Sequence, residues 1–260
     1  MKLKIDFHVH SHKSFDSTMS YKEIIAAAKK RGLDGVCICD HACCDIAESL
    51  ANDNDDFIVI PAVEFTTGTN HIIAMFLEKA PNITFDLKSL TVPLDKIVEE
   101  TRRCGGICIL AHPFERLKEG VQIVSERTDE VMKQMNGMEI YNARAPYCYS
   151  NANKLAFTKA DKLKTVCRTA GSDGHLPSEI GNAYCVVETP SRSLEDIKKA
   201  LLAGKVEVFG HHAKRVCVTR SELTKSKKFH RPFSYDIKLY ASFVPRFVLD
   251  TFDTIFKRKL

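Results

Sequence analysis

Short apolar runs alternate along this chain with longer stretches in which apolar residues recur at helical spacing. Four runs have the length and apolar content of buried strands: LKIDF, GVCICD, ICILAH and MEIYN. The stretch SYKEIIAAAKKRG predicts a helix, because Ser20 can cap its start, Glu23 lies three residues further on, and Gly32 follows its end. Repeated strand–helix units of this kind indicate the α/β class.

Other segments continue the alternation of predicted strands and helices. DFIVIPAVEFTT and NHIIAMFL are separated only by Gly68 and Thr69, which favours a hairpin-like pair of strands. Further strands are predicted by TVCRTAGSD and IGNAYCVVE. Helices are predicted by PLDKIVEETRRCGG, GVQIVSERTDEVMKQM, YSNANKLAFTKADKLK and SLEDIKKALLAG.

Side chains of the kinds that bind metals follow the predicted strands, at the point where each strand ends. The carboxyl ends of the strands of a βα barrel converge on one face, and active sites are built there. No Gly-rich phosphate-binding loop follows a strand, which disfavours an open nucleotide-binding sheet. The residues in question are His8, His10, Asp40, His41, Glu64, His112, Asp173 and His175.

Composition adds little to this picture. The 260 residues include 38 Lys and Arg against 33 Asp and Glu, and a net charge of +5 is too small to predict nucleic-acid binding. Ten cysteines are scattered, several of them inside predicted strands, which favours buried reduced thiols over a disulfide framework. With no signal-peptide pattern at the start and no apolar run approaching 18 residues, we expect a cytoplasmic protein.

The run HVH brings two imidazoles to one side of a strand, because His8 and His10 are two residues apart. Taken alone, this pair fits a metal chelator and a structural or exposed pair equally well. Glu64 adds weight, since an unpaired carboxylate at the end of an apolar strand is costly to bury. A structural Zn–Cys site is disfavoured, because Cys37 and Cys39 lie within a strand and no second pair has finger-like spacing.

The whole set supplies imidazoles and carboxylates but no thiolates, a mixture suited to hydrolysis assisted by Zn, Mn or Fe. Its order along the chain resembles the PHP family, the polymerase and histidinol phosphatase domain. The matching motifs are HVH, DH at 40–41, Glu64 after a strand, His71, AHP at 111–113 and SDGH at 172–175, within roughly residues 1–210.

The resemblance implies a distorted (β/α)7 TIM-like barrel that holds two or three divalent ions (Mn, Fe or Zn). It implies that Glu64 bridges the first and second ions, and that Asp40 orients a histidine or is an additional ligand. Asp16 stands where many family members have His. The implied ligand sets are His8, His10, Glu64 and Asp173; Glu64, His71 and His112; and Asp16, His41 and His175.

The activity implied is hydrolysis of a phosphomonoester, or of a nucleotide or oligonucleotide 5′ end, by metal-activated hydroxide attack on phosphorus. Arg144, after the strand MEIYN, is the expected phosphate ligand, with a salt bridge as the alternative. Arg116 and Asn142 are further candidates for substrate binding, and His12 or water could protonate the leaving group.

Other functions stay open at this point. They are a histidinol-phosphate-type phosphatase, a metal-dependent amidohydrolase acting on C–N bonds, and a non-catalytic PHP module. An amidohydrolase usually bridges its metals with Lys, whereas Glu64 takes that position here, which favours phosphate chemistry.

Residues 211–260 differ from the predicted barrel of residues 1–210. Their first half is basic and predicts a loop-like segment, and SYDIKLYASFVPRFVLDTFDTIFKRKL predicts an amphipathic helix with Pro245 near its start. We expect the apolar face to pack on the barrel or on a second copy in a homo-oligomer; a membrane surface is the less favoured alternative. The expected partner is a small phosphorylated substrate, such as a nucleotide or short oligonucleotide, and no sequence-specific nucleic acid.

Overall fold

The computed structural model describes residues 1–41, 43–54, 56–84, 91–114, 125–145 and 151–256. Within these residues, nine strands form one sheet in the order β7-β6-β5-β4-β3-β2-β1-β8-β9. The strands are β1 Lys2–Val9, β2 Gly35–Ile38, β3 Ile58–Thr66, β4 His71–Met75, β5 Ile107–Ala111, β6 Gly137–Asn142, β7 Cys167–Gly171, β8 Ala183–Glu188 and β9 Val206–Gly210.

The strand pairings bend this sheet into a nearly closed barrel. β1 to β3 are parallel to one another, as are β5 to β7, and β4 runs antiparallel between β3 and β5. Beyond β7 the chain returns to β1, where the His10 amide donates to the Gly174 carbonyl at 2.9 Å. β8 and β9 add an antiparallel pair beside β1. The predicted distorted TIM-like barrel and the predicted hairpin are both confirmed.

Eight helices are present in the described ranges. Ser20 and Glu23 form the predicted capping box at the first of them, in which each side chain bonds the backbone amide of the other. Part of the predicted helix GVQIVSERTDEVMKQM lies outside the described residues. The helices are α1 Tyr21–Lys30, α2 Ile46–Asn52, α3 Leu94–Arg103, α4 Ser125–Met132, α5 Ala152–Lys162, α6 Leu194–Leu202, α7 Arg215–Lys228 and α8 Phe233–Phe256.

The core follows the two-residue alternation of the strands. In β1, Leu3, Ile5 and Phe7 are buried in a cluster with apolar residues from the neighbouring strands. Val36 and Ile38 of β2 belong instead to a cluster that packs against α1. The nine cysteines within the described ranges are unbonded, as predicted, while Cys148 lies outside those ranges.

The C-terminal segment differs from its prediction in two respects. The basic stretch expected to be loop-like forms helix α7, since Lys and Arg are good helix formers and Pro232 lies beyond its end. Helix α8 begins at Phe233, so Pro245 lies inside it rather than near its start. The apolar spacing simply extends further upstream than Leu239.

Helix α8 packs on α7 through polar contacts. Asp250 accepts hydrogen bonds from the backbone amides of Arg215 and Val216, and Arg246 donates to Thr219. The sequence predicted that the apolar face of α8 packs on the barrel or on a second copy. Several described side chains of this face are exposed, so packing on the barrel is wrong for them, while packing on a second copy stays a prediction. These exposed residues are Phe233, Ile237, Tyr240, Val244, Phe247, Val248 and Leu249. In the part of the chain that the structure describes, no helix is long and apolar enough to span a bilayer.

Closure of the barrel depends on close contact between β1 and β7. A Cβ atom on Gly171 would lie 2.1 Å from the His8 Cβ and 2.7 Å from the His8 amide nitrogen. These are backbone-proximal atoms that cannot move aside without shifting the strand. The contact therefore requires glycine at position 171.

Gly171→Ala tests this contact. We expect it to lower the free energy of unfolding by about 3 kcal/mol, at the upper end for overpacking, because the added methyl meets the β1 backbone. Gly32→Ala is the control: its φ of +70° adds backbone strain of about 1 kcal/mol, yet nothing lies within 4 Å of the new Cβ. Urea unfolding measures both. Equal losses in the two variants would contradict the proposed steric constraint.

Candidate metal centre

The ligand-type residues meet at the carboxyl end of the barrel. His8 and Glu64 lie within β1 and β3, while His10, His41, His112, Asp173 and His175 lie just after the strands that precede them. His71 begins β4 and still reaches the same edge, because β4 is antiparallel and His71 pairs with Thr66 at the end of β3. The hairpin thus brings a residue from the start of a strand to the face where the other strands end.

Glu64 is at the centre of this cluster, and its side chain is only 1% exposed. Its Oε1 lies 3.0 Å from the Nδ1 of His71 and 3.1 Å from the Nε2 of His112. Its Oε2 lies 3.3 Å from His41, 3.4 Å from His10 and 3.5 Å from His8. One buried carboxylate therefore contacts five imidazoles. The set Glu64, His71 and His112 offers ligand atoms within 4.8 Å of one another.

A second group surrounds the end of β1. The Nε2 atoms of His8 and His10 are 3.1 Å apart, and both face Glu64. Asp173 closes this group, since its Oδ1 lies 3.4 Å from His10 and 3.7 Å from His8. The four residues expected from the sequence to share an ion are therefore adjacent.

Asp16 anchors a third group on the loop after β1. Its Oδ2 lies 3.2 Å from the Nε2 of His175 and 3.5 Å from the Nε2 of His41. His10 joins them, so that four ligand atoms lie within 4.8 Å of one another. The structure thus adds His10 to the set of Asp16, His41 and His175.

These groups fit divalent cations. Metal–ligand bonds of about 2.0–2.2 Å place neighbouring ligand atoms of one ion roughly 3.0–3.5 Å apart, close to the separations above. The donors are imidazole nitrogens and carboxylate oxygens, which suit Zn, Mn and Fe. Among the described residues, the buried Nδ1 of His10 has no hydrogen-bond partner, so protein atoms do not use all the donors of the cluster.

Cys39 also approaches this centre, within ligand distance of His8 and His10. Burial raises the pKa of its thiol well above the usual value, and the Sγ donates to the Val9 carbonyl at 3.6 Å. His8, His10, Glu64 and Asp173 already supply four imidazole and carboxylate donors at this position. We therefore keep Cys39 out of the candidate ligand set.

The buried carboxylates of the cluster favour bound positive charge. Burial alone raises the pKa of Glu64, Asp16 and Asp173, but the surrounding histidines more than offset this and hold the pKa of each carboxyl group well below its usual value. Burial lowers the pKa of His8, yet the acidic groups around it, Glu139 among them, raise the pKa well above normal. The buried carboxylates therefore require protonated imidazoles or divalent cations as partners.

Glu139 is a candidate functional residue that sequence reasoning missed. It lies on β6 and is 1% exposed; its Oε1 is 3.0 Å from the Nδ1 of His8, and its Oε2 accepts the His112 amide at 2.8 Å. A carboxylate that holds one ring nitrogen fixes the tautomer and leaves Nε2 as the metal donor. The signal was a lone Glu in the apolar strand MEIYN, the same signal that singled out Glu64.

Asn142 lies beside this carboxylate. Its Nδ2 donates to Glu139 at 3.1 Å and to the Oδ2 of Asp173 at 3.4 Å, while its Oδ1 accepts the amides of Arg144 and Ala145. These contacts orient Asp173, a candidate metal ligand. Substrate binding by Asn142 stays a prediction.

Arg144 is buried rather than free at the mouth of the barrel. It forms a bidentate pair with Glu179 at 2.9 Å for both bonds, and its Nη1 donates to Ser221 at 3.0 Å. Burial lowers its pKa, but Glu179 and Asp173 raise it, so the net pKa is higher than usual. Three of its five N–H groups are engaged in this way. Its role as a phosphate ligand stays a prediction.

The remaining candidates lie away from the ligand sets or outside the described residues. His12 is exposed, with its Nδ1 3.3 Å from the Met19 carbonyl, and its catalytic role is untested. Arg116 falls outside the described residues. Asp40 accepts the amide and hydroxyl of Ser11, both at 2.6 Å, so it orients the loop after β1. The sequence had predicted that it orients a histidine or binds an ion; these hydrogen bonds involve no histidine, and ion binding stays a prediction.

Two candidate ligands have strained backbones. His112 has a φ of 22° and Asp173 a φ of 52°, in the left-handed region that side chains other than glycine rarely adopt. Such strain persists only where surrounding contacts enforce it, and it concentrates at functional sites. At both positions it turns the side chain from the end of a strand into the cluster.

Comparisons with known proteins bear on the family and the fold. A model of the PHP-associated family matches residues 150–206. No curated protein matches the chain significantly.

Solved structures with the same fold are distant in sequence. A two-domain protein from Bacteroides vulgatus, containing a predicted PHP-like metal-dependent phosphoesterase, is 18% identical with a TM-score of 0.55, over 86% of this chain and 70% of that one. An amidohydrolase from Chromobacterium violaceum is 15% identical with a TM-score of 0.55, over 75% and 96%. A lesion-specific endonuclease from Pyrococcus furiosus is 17% identical with a TM-score of 0.51, over 80% and 58%.

Glu139→Gln tests whether this carboxylate tunes the metal centre. We expect the affinity for Mn²⁺ to fall about 10- to 100-fold, because a neutral amide holds the His8 ring less firmly and makes its Nε2 a weaker donor. Titration calorimetry measures the change. Glu130→Gln, which removes a similar charge from the exposed face of α4, is the control. Equal affinity in the two variants would rule out the assigned role.

Proposed function

We propose that this chain is a PHP-family protein and a metal-dependent phosphoesterase that hydrolyses a phosphomonoester or the 5′ end of a nucleotide or oligonucleotide, a proposal supported by the PHP-associated match and the shared fold. The observation that carries the proposal is the junction of three ligand sets. Glu64 links the first to the second, and His10 links the first to the third. Adjacent divalent ions are the usual means of clamping a transferring phosphoryl group.

The exposure of the ligands indicates where a phosphate ester would enter. The side chains of His8 and His10 are 0% exposed, whereas His71 is 20% exposed and His41 is 14% exposed. The substrate would therefore approach over His71 and His41, with the first set forming the floor of the site.

The protein's own residues hold this arrangement rigid. Glu139 fixes the His8 ring, and Asn142 holds the Asp173 carboxylate, so both ligands are positioned before a substrate arrives. Divalent ions bound here would supply Lewis acidity and a nucleophile at neutral pH. Arg144 would bind the phosphate through N–H groups that its contacts with Glu179 and Ser221 leave unused, and His12 would act as proton donor to the leaving group.

A metal-dependent amidohydrolase is the second candidate, supported by the likeness to the Chromobacterium violaceum amidohydrolase. Its C–N chemistry usually employs a lysine that bridges the metals. Here Glu64 occupies that position, surrounded by histidines. Phosphate chemistry is therefore favoured. A histidinol-phosphate-type phosphatase and a non-catalytic PHP module are outcomes of the same test.

Product analysis by mass spectrometry tests the reaction. The Mn²⁺-loaded protein is given a 5′-phosphorylated oligonucleotide, mononucleotides, histidinol phosphate and a panel of cyclic amides. We expect release of inorganic phosphate or of mononucleotides, and loss of both on treatment with EDTA. Turnover of an amide alone would assign the protein to the second candidate. Metal binding without any turnover would contradict the proposed function.

Asp173→Asn is the matched variant for this assay. We expect activity to fall at least 100-fold, because the amide no longer supplies the charged oxygen that faces His8 and His10. Asp161→Asn on α5 is the control, since that carboxylate pairs with Arg168 at the surface and is 52% exposed. Full activity of Asp173→Asn would contradict the metal assignment.

A further inference from the structure

Helix α7 lies outside the barrel strands, yet its side chains contact the loop that carries Asp16 and the Arg144 side chain, whose partner Glu179 holds His175. We propose that Lys228 is a positioning residue for this set, and that α7 is thereby part of the metal centre. The inference rests on the proposed function only in requiring that the ligand sets bind metal ions. It does not depend on which ester is cleaved.

Lys228 binds the loop that follows β1. Its ammonium donates to the carbonyls of Ser14 at 2.5 Å, Ser17 at 3.0 Å and His12 at 3.3 Å. Three carbonyl dipoles that converge on one point repel one another unless a cation lies between them. Lys228 supplies that cation and fixes the curvature of residues 12–17.

That curvature determines the position of Asp16. The Ser14 hydroxyl donates to the Oδ1 of Asp16 at 2.7 Å and accepts the His41 amide at 3.4 Å. The Oδ2 of Asp16 is thereby left facing His41 and His175. Lys228 thus holds the carbonyls of Ser14 and Ser17, which lie on either side of Asp16 in the chain. A shift of this loop would move Asp16, the only carboxylate of the third set.

A second contact from the loop after β1 holds His41 in place. Phe15 stacks on the His41 ring with centroids 4.6 Å apart and planes 7° from parallel. The ammonium of Lys225 lies 4.7 Å from the centre of the Phe15 ring, and the Phe229 ring lies 5.2 Å away. Both of these come from α7 or its C-cap, so the helix supports His41 through Phe15.

The same helix reaches the opposite side of the set. Ser221 on α7 accepts a hydrogen bond from Arg144, whose partner Glu179 accepts the backbone amide of His175 at 3.2 Å. By contrast, His8 and His71 lie within strands β1 and β4, where ladder hydrogen bonds hold the backbone. Asp16, His41 and His175 all lie beyond strand ends, and α7 supports them through Lys228, Phe15 and Arg144, so the third set should be the weakest and most adjustable.

Metal binding to the intact protein tests this directly. We expect Lys228→Met to weaken the weakest-bound Mn²⁺ about 10-fold, as for other residues that position a ligand indirectly, and to leave the tighter ions unchanged. Equilibrium dialysis with elemental analysis gives the stoichiometry and the affinities. Lys228→Arg, which keeps a cation, should lie closer to the parent than Lys228→Met. Lys227→Met, at an exposed position on the same helix, is the control.

A double-mutant cycle with Asp16→Asn separates positioning from general stability. If Lys228 acts through Asp16, Lys228→Met should cause no further loss of Mn²⁺ affinity in the Asp16→Asn background. The metal-free variants should melt at the same temperature as Lys227→Met.

Several outcomes would overturn the proposal. They are equal weakening of all the ions by Lys228→Met, additive losses in the double variant, or an Asp16→Asn protein that binds as many ions as the parent. None of these depends on turnover, so a failure of the phosphoesterase assay would be recognised separately.

Discussion

The candidate metal centre of this protein is organised around one buried carboxylate. Glu64 lies on a central strand with its oxygens 3.0–3.5 Å from five imidazoles. A buried negative charge in this position is stable only with compensating positive charge. Every element that brings a histidine to Glu64 helps to provide that compensation. The site is therefore a property of the whole barrel and not of a single motif.

Chain topology meets that requirement in three ways. Parallel strands bring successive ends to one face, which accounts for His8, His41 and His112. The antiparallel β4 brings His71 from the start of a strand to the same face. Closure of β7 on β1, permitted by Gly171, brings the loop that carries Asp173 and His175 against the histidines of β1.

Much of this could be predicted from local sequence, and the reason is physical. The position of ligand-type residues directly after apolar strands predicts that they lie close together, because the strand ends of a βα barrel share a face. His10's place between two sets could not be predicted in this way, since it depends on how the β1 end and the Asp16 loop meet in space. The same limit applies to Glu179, whose partner Arg144 lies 35 residues away.

The C-terminal segment shows a different limit. Its basic composition indicated a loop, whereas Lys225 and Lys228 belong to a helix and contact the loop after β1 more than 200 residues earlier. Charge pattern alone does not distinguish a solvated lysine from one that binds converging carbonyls. Glu139 could have been predicted from the sequence, because a lone carboxylate in an apolar strand already identified Glu64.

Anomalous diffraction from crystals soaked in Mn²⁺ tests the central claim most directly. It locates each ion without any assumption about substrate or activity. The account predicts anomalous peaks on both sides of the Glu64 carboxylate, one towards His8 and His10 and one towards His71 and His112, with a weaker peak beside Asp16. Mn²⁺ bound at saturation with no peak next to Glu64 would contradict it.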